Sequence, residues 1–170
     1  MKILVLGDVM GVSGRKALKK NLSKIIKENE IIFSVINGEN SADDGKGITK
    51  DIAEDFFGQG IDVITSGNHI WDKEETTKFI EKENRLLRPA NLAEGSPGRG
   101  YGIFLSKNKK YKIGVINLMG NVFMRKTDDV FKKAEEISKK IALKKNVDFL
   151  IIDFHGEITS EKMAIGHFFD

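Results

Sequence analysis

The chain predicts an α/β fold built around a parallel sheet, on three observations. Continuous apolar runs, "KILVLG", "IIFSVIN" and "IDVITS", have the character of strands covered on both faces. Amphipathic helical segments separate these runs, and a βαβα order requires parallel pairing through right-handed crossovers. A length of 170 residues, 40% of them hydrophobic, suits one domain over residues 1–170 that buries its own core.

After the first strand, a helix is predicted over 15–28, where Leu18, Leu22, Ile25 and Ile26 fall on one stripe. "IIFSVIN" is the second strand. Thr49 caps a short helix, "KDIAEDFFGQ", that stops at Gly60. "IDVITS" is the third strand, followed by a helix across "KEETTKFIEKEN". "RLLRPANLAEGSPGRG" is rich in proline and glycine and reads as a short strand and a loop. "YGIFLS" and "KIGVINLMG" flank the polar "KNKKY", the pattern of an antiparallel hairpin. Thr127 then caps a long helix with Val130, Phe131, Ala134, Ile137 and Ile141 on one face. "VDFLIIDFHGE" is expected as a buried strand and "TSEKMAIGHFF" as a closing helix. There is no internal repeat, low-complexity tract or linker.

Composition narrows the chemistry. The net charge of +3 comes from lysines interleaved with glutamates along helices, which is the pattern of solvated helix faces and gives no specific nucleic-acid surface. Without cysteine there is no disulfide, thiolate nucleophile or thiolate metal site; carboxylates, amides and three histidines remain as ligands. "MKILVLGDVMG" is too short an apolar run for a signal peptide or a membrane span, so the expected location is the cytoplasm, away from membranes.

The polar residues that end the strands form a series: Gly7-Asp8, Gly38-Glu39-Asn40, Gly67-Asn68-His69 and Asp153-Phe154-His155-Gly156. In an open α/β sheet the carboxyl ends of parallel strands make the ligand crevice, so these groups should converge. Carboxylate, amide and imidazole together suit manganese, iron or zinc. A carboxylate such as Glu39 can bridge two cations a few ångströms apart. Each residue alone has a plainer explanation. Asp8 is also a helix-cap or turn residue, Asn40 and Asn68 suit left-handed turns, and His69 and His155 could be structural histidines bonded to backbone. His167, beside Phe168 and Phe169, reads as structural, and Trp71 as packing.

"GDVMG", "INGENSADDGKGIT", "TSGNHIWDKEE", "LLRPAN", "NLMG" and "DFHGEITSEKMAIGHFFD" resemble the YmdB-like bacterial metallophosphoesterase family, within the calcineurin-like phosphoesterases, over essentially the whole chain. The resemblance implies a four-layer αββα sandwich with mixed sheets, two iron or manganese ions, and hydrolysis of phosphodiesters including 2′,3′-cyclic nucleotides. It makes Asp8, Glu39 and Asn40 ligands of the first metal, Glu39 the bridge to a second metal held by Asn68 and His155, and His69 the proton donor. Two departures accompany it. Broader metallophosphoesterases have a histidine where Met10 stands. Family members also continue beyond "FFD" into a strand and a Gly-Thr-His-Thr-His turn with two further histidine ligands, whereas this chain reaches Asp170. A sandwich incomplete at that end is expected to self-associate, to bind metal more weakly and to turn over at least about tenfold more slowly.

The rivals are a non-catalytic α/β nucleotide-binding protein and a regulatory protein that keeps the fold with a degraded metal site. Against the first, "GDVMGVSG" lacks the dinucleotide glycine spacing, and "GKG" lacks the Ser or Thr of a phosphate loop. A haloacid-dehalogenase-type phosphatase would want a second Asp in place of Met10.

Overall fold

The structure, a computed structural model, describes residues 1–170. Its elements are β1 (Lys2–Asp8), α1 (Gly11–Glu28), β2 (Ile31–Asn37), α2 (Lys50–Gly58), β3 (Val63–Thr65), α3 (Glu74–Phe79), β4 (Tyr101–Leu105), β5 (Lys112–Met119), α4 (Val130–Ser138), β6 (Phe149–His155) and α5 (Thr159–Phe169). They form two three-stranded sheets, β1-β2-β3 and β4-β5-β6. The first is parallel throughout; in the second, β4 runs antiparallel and β6 parallel to β5.

Three apolar clusters define four layers. Leu22, Ile36, Phe56, Ile64 and Ile80 pack between the first three helices and the first sheet. Phe33, Val35 and Val63 meet Ile113 and Val115 between the sheets. Ile116, Leu118, Ala134, Ile137 and Ile165 pack between the second sheet and the last two helices. This αββα stacking explains why the central strands read as unbroken apolar runs. In β2, Phe33 and Val35 point to the facing sheet while Ile36 points to the helices, and β5 divides Ile113 and Val115 from Ile116 and Leu118 in the same way.

Several local expectations hold. Thr49 caps α2 by accepting a hydrogen bond from the Ile52 N–H, a contact typically worth about 1 kcal/mol. β4 and β5 form the antiparallel hairpin, with Leu105 opposite Lys112. Trp71 packs against the first helical core.

Other elements differ, each for a visible reason. α1 begins at Gly11, earlier than the apolar stripe implies, because Gly11 takes a φ of +52° and its N–H donates to the Asn40 carbonyl at 2.8 Å. α3 ends at Phe79, since the chain must turn to bring Leu86 and Leu87 into bridges with Ile64 and Arg99. α4 is capped by Asp129, whose carboxylate accepts from the Phe131 and Lys132 N–H groups; Thr127 bonds instead to Asn121. The helix stops at Ser138, so Ile141 joins the interior from the following turn; Phe131, against Phe168, stays partly exposed. β6 is half-buried along its whole length, because it is an edge strand. No helix is long and apolar enough to cross a membrane.

Candidate metal centre

The carboxyl ends of β1, β2 and β3 are in register, with Asp8 opposite Asn37 and Asn37 opposite Thr65, and β6 delivers His155 opposite Met119 in the second sheet. The site therefore lies where the ends of both sheets meet. Glu39 and Asn40 follow β2 in a turn that starts at Gly38. The Glu39 N–H donates to Asn37 Oδ1 at 3.1 Å and the Ser41 hydroxyl to the Gly38 carbonyl at 2.6 Å, so the acidic side chain is held by its own turn.

All six expected site residues come together. Asp8, Glu39 and His155 offer ligand atoms that lie within 4.8 Å of one another. The Asn40 amide donates to Asp8 Oδ2 at 3.2 Å and to Glu39 Oε1 at 3.3 Å. His155 Nε2 lies 3.0 Å from Glu39 Oε1 and 2.8 Å from Asn68 Oδ1. The result is two overlapping triads, Asp8–Asn40–Glu39 and Glu39–His155–Asn68, that share Glu39. His69 stands at the rim. Its backbone N–H donates to Glu39 Oε2 at 3.3 Å, and its Nδ1 pairs with Asp72 Oδ2 at 2.7 Å. His167, by contrast, lies at the end of α5.

Electrostatics set the centre apart from an ordinary polar cluster. Glu39 is 1% exposed and has neither lysine nor arginine among its hydrogen-bond partners. Asp8 keeps an exposed edge, yet partial burial, and next the charge of Glu39, raise its carboxyl above the usual range. Burial by itself lowers the His155 imidazole, but its hydrogen bond to Glu39 and the charges of Glu39, Asp8 and Asp153 outweigh that and raise it. Negative charge on hard oxygen donors, buried at Glu39 and more exposed at Asp8, with one imidazole, fits divalent cations, whose own charge would compensate it.

Gly67 shows how tightly the cradle is built. A Cβ at this position would lie 2.1 Å from Glu39 Oε2 and 2.4 Å from His155 Cδ2. Gly67→Ala is therefore expected to push apart Glu39, the side chain the triads share, and His155. Denaturant unfolding should show a loss of about 1–3 kcal/mol, typical of overpacking, and manganese affinity should fall with it. An unchanged affinity would mean that Glu39 and His155 do not act together.

The strand-end series did not reveal the polar layer beneath the site. Asn117, in the interior of β5, accepts from the Ser66 N–H at 2.9 Å and donates to the Ser66 carbonyl at 3.0 Å, while Asn37 donates to Asp153 at 3.1 Å. These bonds tie the two sheets together directly under the ligand cluster. The available signal was a single amide on the core face of the apolar run "KIGVINLM". Asp72 was also missed as the partner of His69, although it lies three residues on in the same turn.

The family described as YmdB-like protein matches residues 4–170. A Bacillus subtilis (strain 168) protein named 2′,3′-cyclic-nucleotide 2′-phosphodiesterase is 43% identical over 170 residues, covering 100% of this chain and 62% of its own length. The crystal structure of a hypothetical protein from Thermus thermophilus superposes with a TM-score of 0.88 at 30% identity, over 100% of this chain and 64% of that one. That of a novel phosphatase from Mycoplasma pneumoniae gives 0.87 at 34% identity, over 99% and 59%. The chain thus spans about three-fifths of the length of these relatives. With the match running from residue 4 to the last residue, the chain belongs to the YmdB-like protein family.

Proposed function

We propose that this chain carries the centre of a metal-dependent phosphodiesterase acting on 2′,3′-cyclic nucleotides, with two iron or manganese ions as cofactors. The observation that carries the proposal is the pair of triads sharing Glu39. Asp8, Asn40 and Glu39 would hold one cation and Glu39, Asn68 and His155 the other, with the Glu39 carboxylate between them. Hard oxygen donors with one imidazole favour manganese or iron. Two cations held by these residues would supply a water nucleophile at neutral pH and neutralise charge on the phosphoryl oxygens.

The protein's own part is positioning and proton transfer. With Nδ1 engaged by Asp72, His69 has Nε2 free for the departing oxygen, which in a cyclic nucleotide opened at the 2′ ester is the ribose 2′ oxygen. His69 follows Asn68 directly, and its backbone N–H bonds to Glu39 Oε2, which would set its ring at the edge of the ligand cluster. The name of the Bacillus subtilis relative supports this substrate class.

Incubation of the purified chain with manganese and adenosine 2′,3′-cyclic phosphate is expected to release the 3′-monophosphate, and chelation should stop the reaction. Absence of product with manganese, and with ferrous iron under anaerobic conditions, would overturn the proposal.

A further inference from the structure

The segment 121–127 leaves the carboxyl end of β5 immediately after Gly120, whose N–H donates to the His155 carbonyl at 2.9 Å. It is pinned at both ends. Glu161 accepts from the Asn121 N–H at 2.9 Å, Asn121 Oδ1 accepts from the Thr127 N–H at 2.8 Å, and the Asn91 amide donates to the Thr127 hydroxyl at 2.8 Å. Two side chains of this closed loop project from it into solvent. Phe123 is 86% exposed and sits at a φ of +61°, a left-handed conformation that a residue with a bulky side chain seldom adopts. Arg125 is 67% exposed and reaches back to the His69 turn, with Nη2 3.8 Å from Asp72 Oδ1, the carboxylate that also holds His69.

A strained backbone that projects an aromatic ring into water contributes nothing to folding. It makes sense as a ligand contact. The ring is two residues from a guanidinium that reaches Asp72, the carboxylate paired with the expected proton donor, and three residues from the glycine that bonds to His155. Every nucleobase offers a π-face, and a rigid aromatic on a pinned loop captures it at low entropic cost. The nearby cation, only loosely paired, complements the substrate's phosphate.

We propose that loop 121–127 is the nucleotide-recognition element of this centre, with Phe123 stacking on the base and Arg125 facing the phosphate side. This rests on the cyclic-nucleotide reading above and adds base recognition to it. The test is calorimetric binding to the full chain with manganese present, comparing adenosine 3′-monophosphate with ribose 3-phosphate, which has no base. Phe123→Gly removes the ring and relieves the positive φ, so its thermal midpoint should stay level or rise. Nucleotide affinity should nonetheless fall about tenfold or more, as expected for one lost base stack, with ribose 3-phosphate unaffected. Phe123→Trp should restore it. Equal affinities of Phe123→Gly and wild type for the nucleotide would overturn the loop's role and leave the phosphodiesterase reading standing. A Phe123→Gly defect confined to self-association in sedimentation would overturn it too, by assigning the ring to a second copy of the chain. Failure of the wild type to bind either phosphate would remove both proposals.

Discussion

Glu39→Gln is expected to empty the centre. Glu39 is the one side chain common to both triads, and its two oxygens already receive contacts from Asn40, His155 and the His69 N–H. Substitution by an amide removes the negative charge at the point where two cations would sit closest, while a glutamine oxygen can still accept from the His69 N–H, so the fold should persist. Loss of an outer-sphere partner typically costs 10–100-fold in metal affinity, and loss of a shared ligand should cost more than about 100-fold. Asn68→Ala, which opens only one sphere, should retain more metal. Elemental analysis after desalting distinguishes the two, and a Glu39→Gln chain that keeps two cations would take Glu39 out of the bridging position.

His69→Ala should have the opposite signature. Because the contact to Glu39 is made by the backbone N–H, deleting the imidazole leaves that part of the centre intact, and metal content should remain near the wild-type level. Turnover of a cyclic nucleotide, whose ribose oxygen needs a proton to depart, should drop by about 10²–10⁴-fold. Bis-p-nitrophenyl phosphate, with a leaving group stable as an anion, should lose much less. Similar losses on both substrates would assign His69 to phosphate positioning instead of proton donation.

Much of this was legible in the sequence because the relevant signals are local. Apolar runs ending in Gly7-Asp8, Gly38-Glu39, Gly67-Asn68 and Asp153-Phe154-His155 place donors at strand ends whatever the strand order; the parallel first sheet brings the first three to one edge, and the facing sheet supplies the fourth. Thr49 was legible as a cap for the same reason: its partner, the Ile52 N–H, is three residues away.

What stayed hidden depends on distant partners or on competition between neighbours. Thr127, Asp128 and Asp129 are all plausible caps. Only the folded chain shows that Thr127 is drawn away by Asn91 and Asn121, leaving Asp129 to α4. The stitch between Asn117 and Ser66 joins residues 51 positions apart, beyond the reach of any periodicity. The link from Arg125 to Asp72 likewise joins the second half of the chain to the first. β6 reads as buried from composition because its apolar residues serve two cores, Phe149 and Ile151 toward the facing sheet and Leu150, Ile152 and Phe154 toward the last helices; its half-exposure reflects only its place at the edge.

In the proposed centre Glu39 would hold two cations between the Asp8–Asn40 and Asn68–His155 arms. Manganese titrated into the metal-free chain and followed by electron paramagnetic resonance tests it most directly. The expected result is an exchange-coupled manganese pair at two ions per chain, absent in Glu39→Gln. A spectrum of isolated ions at every loading, or saturation at a single ion, would contradict it.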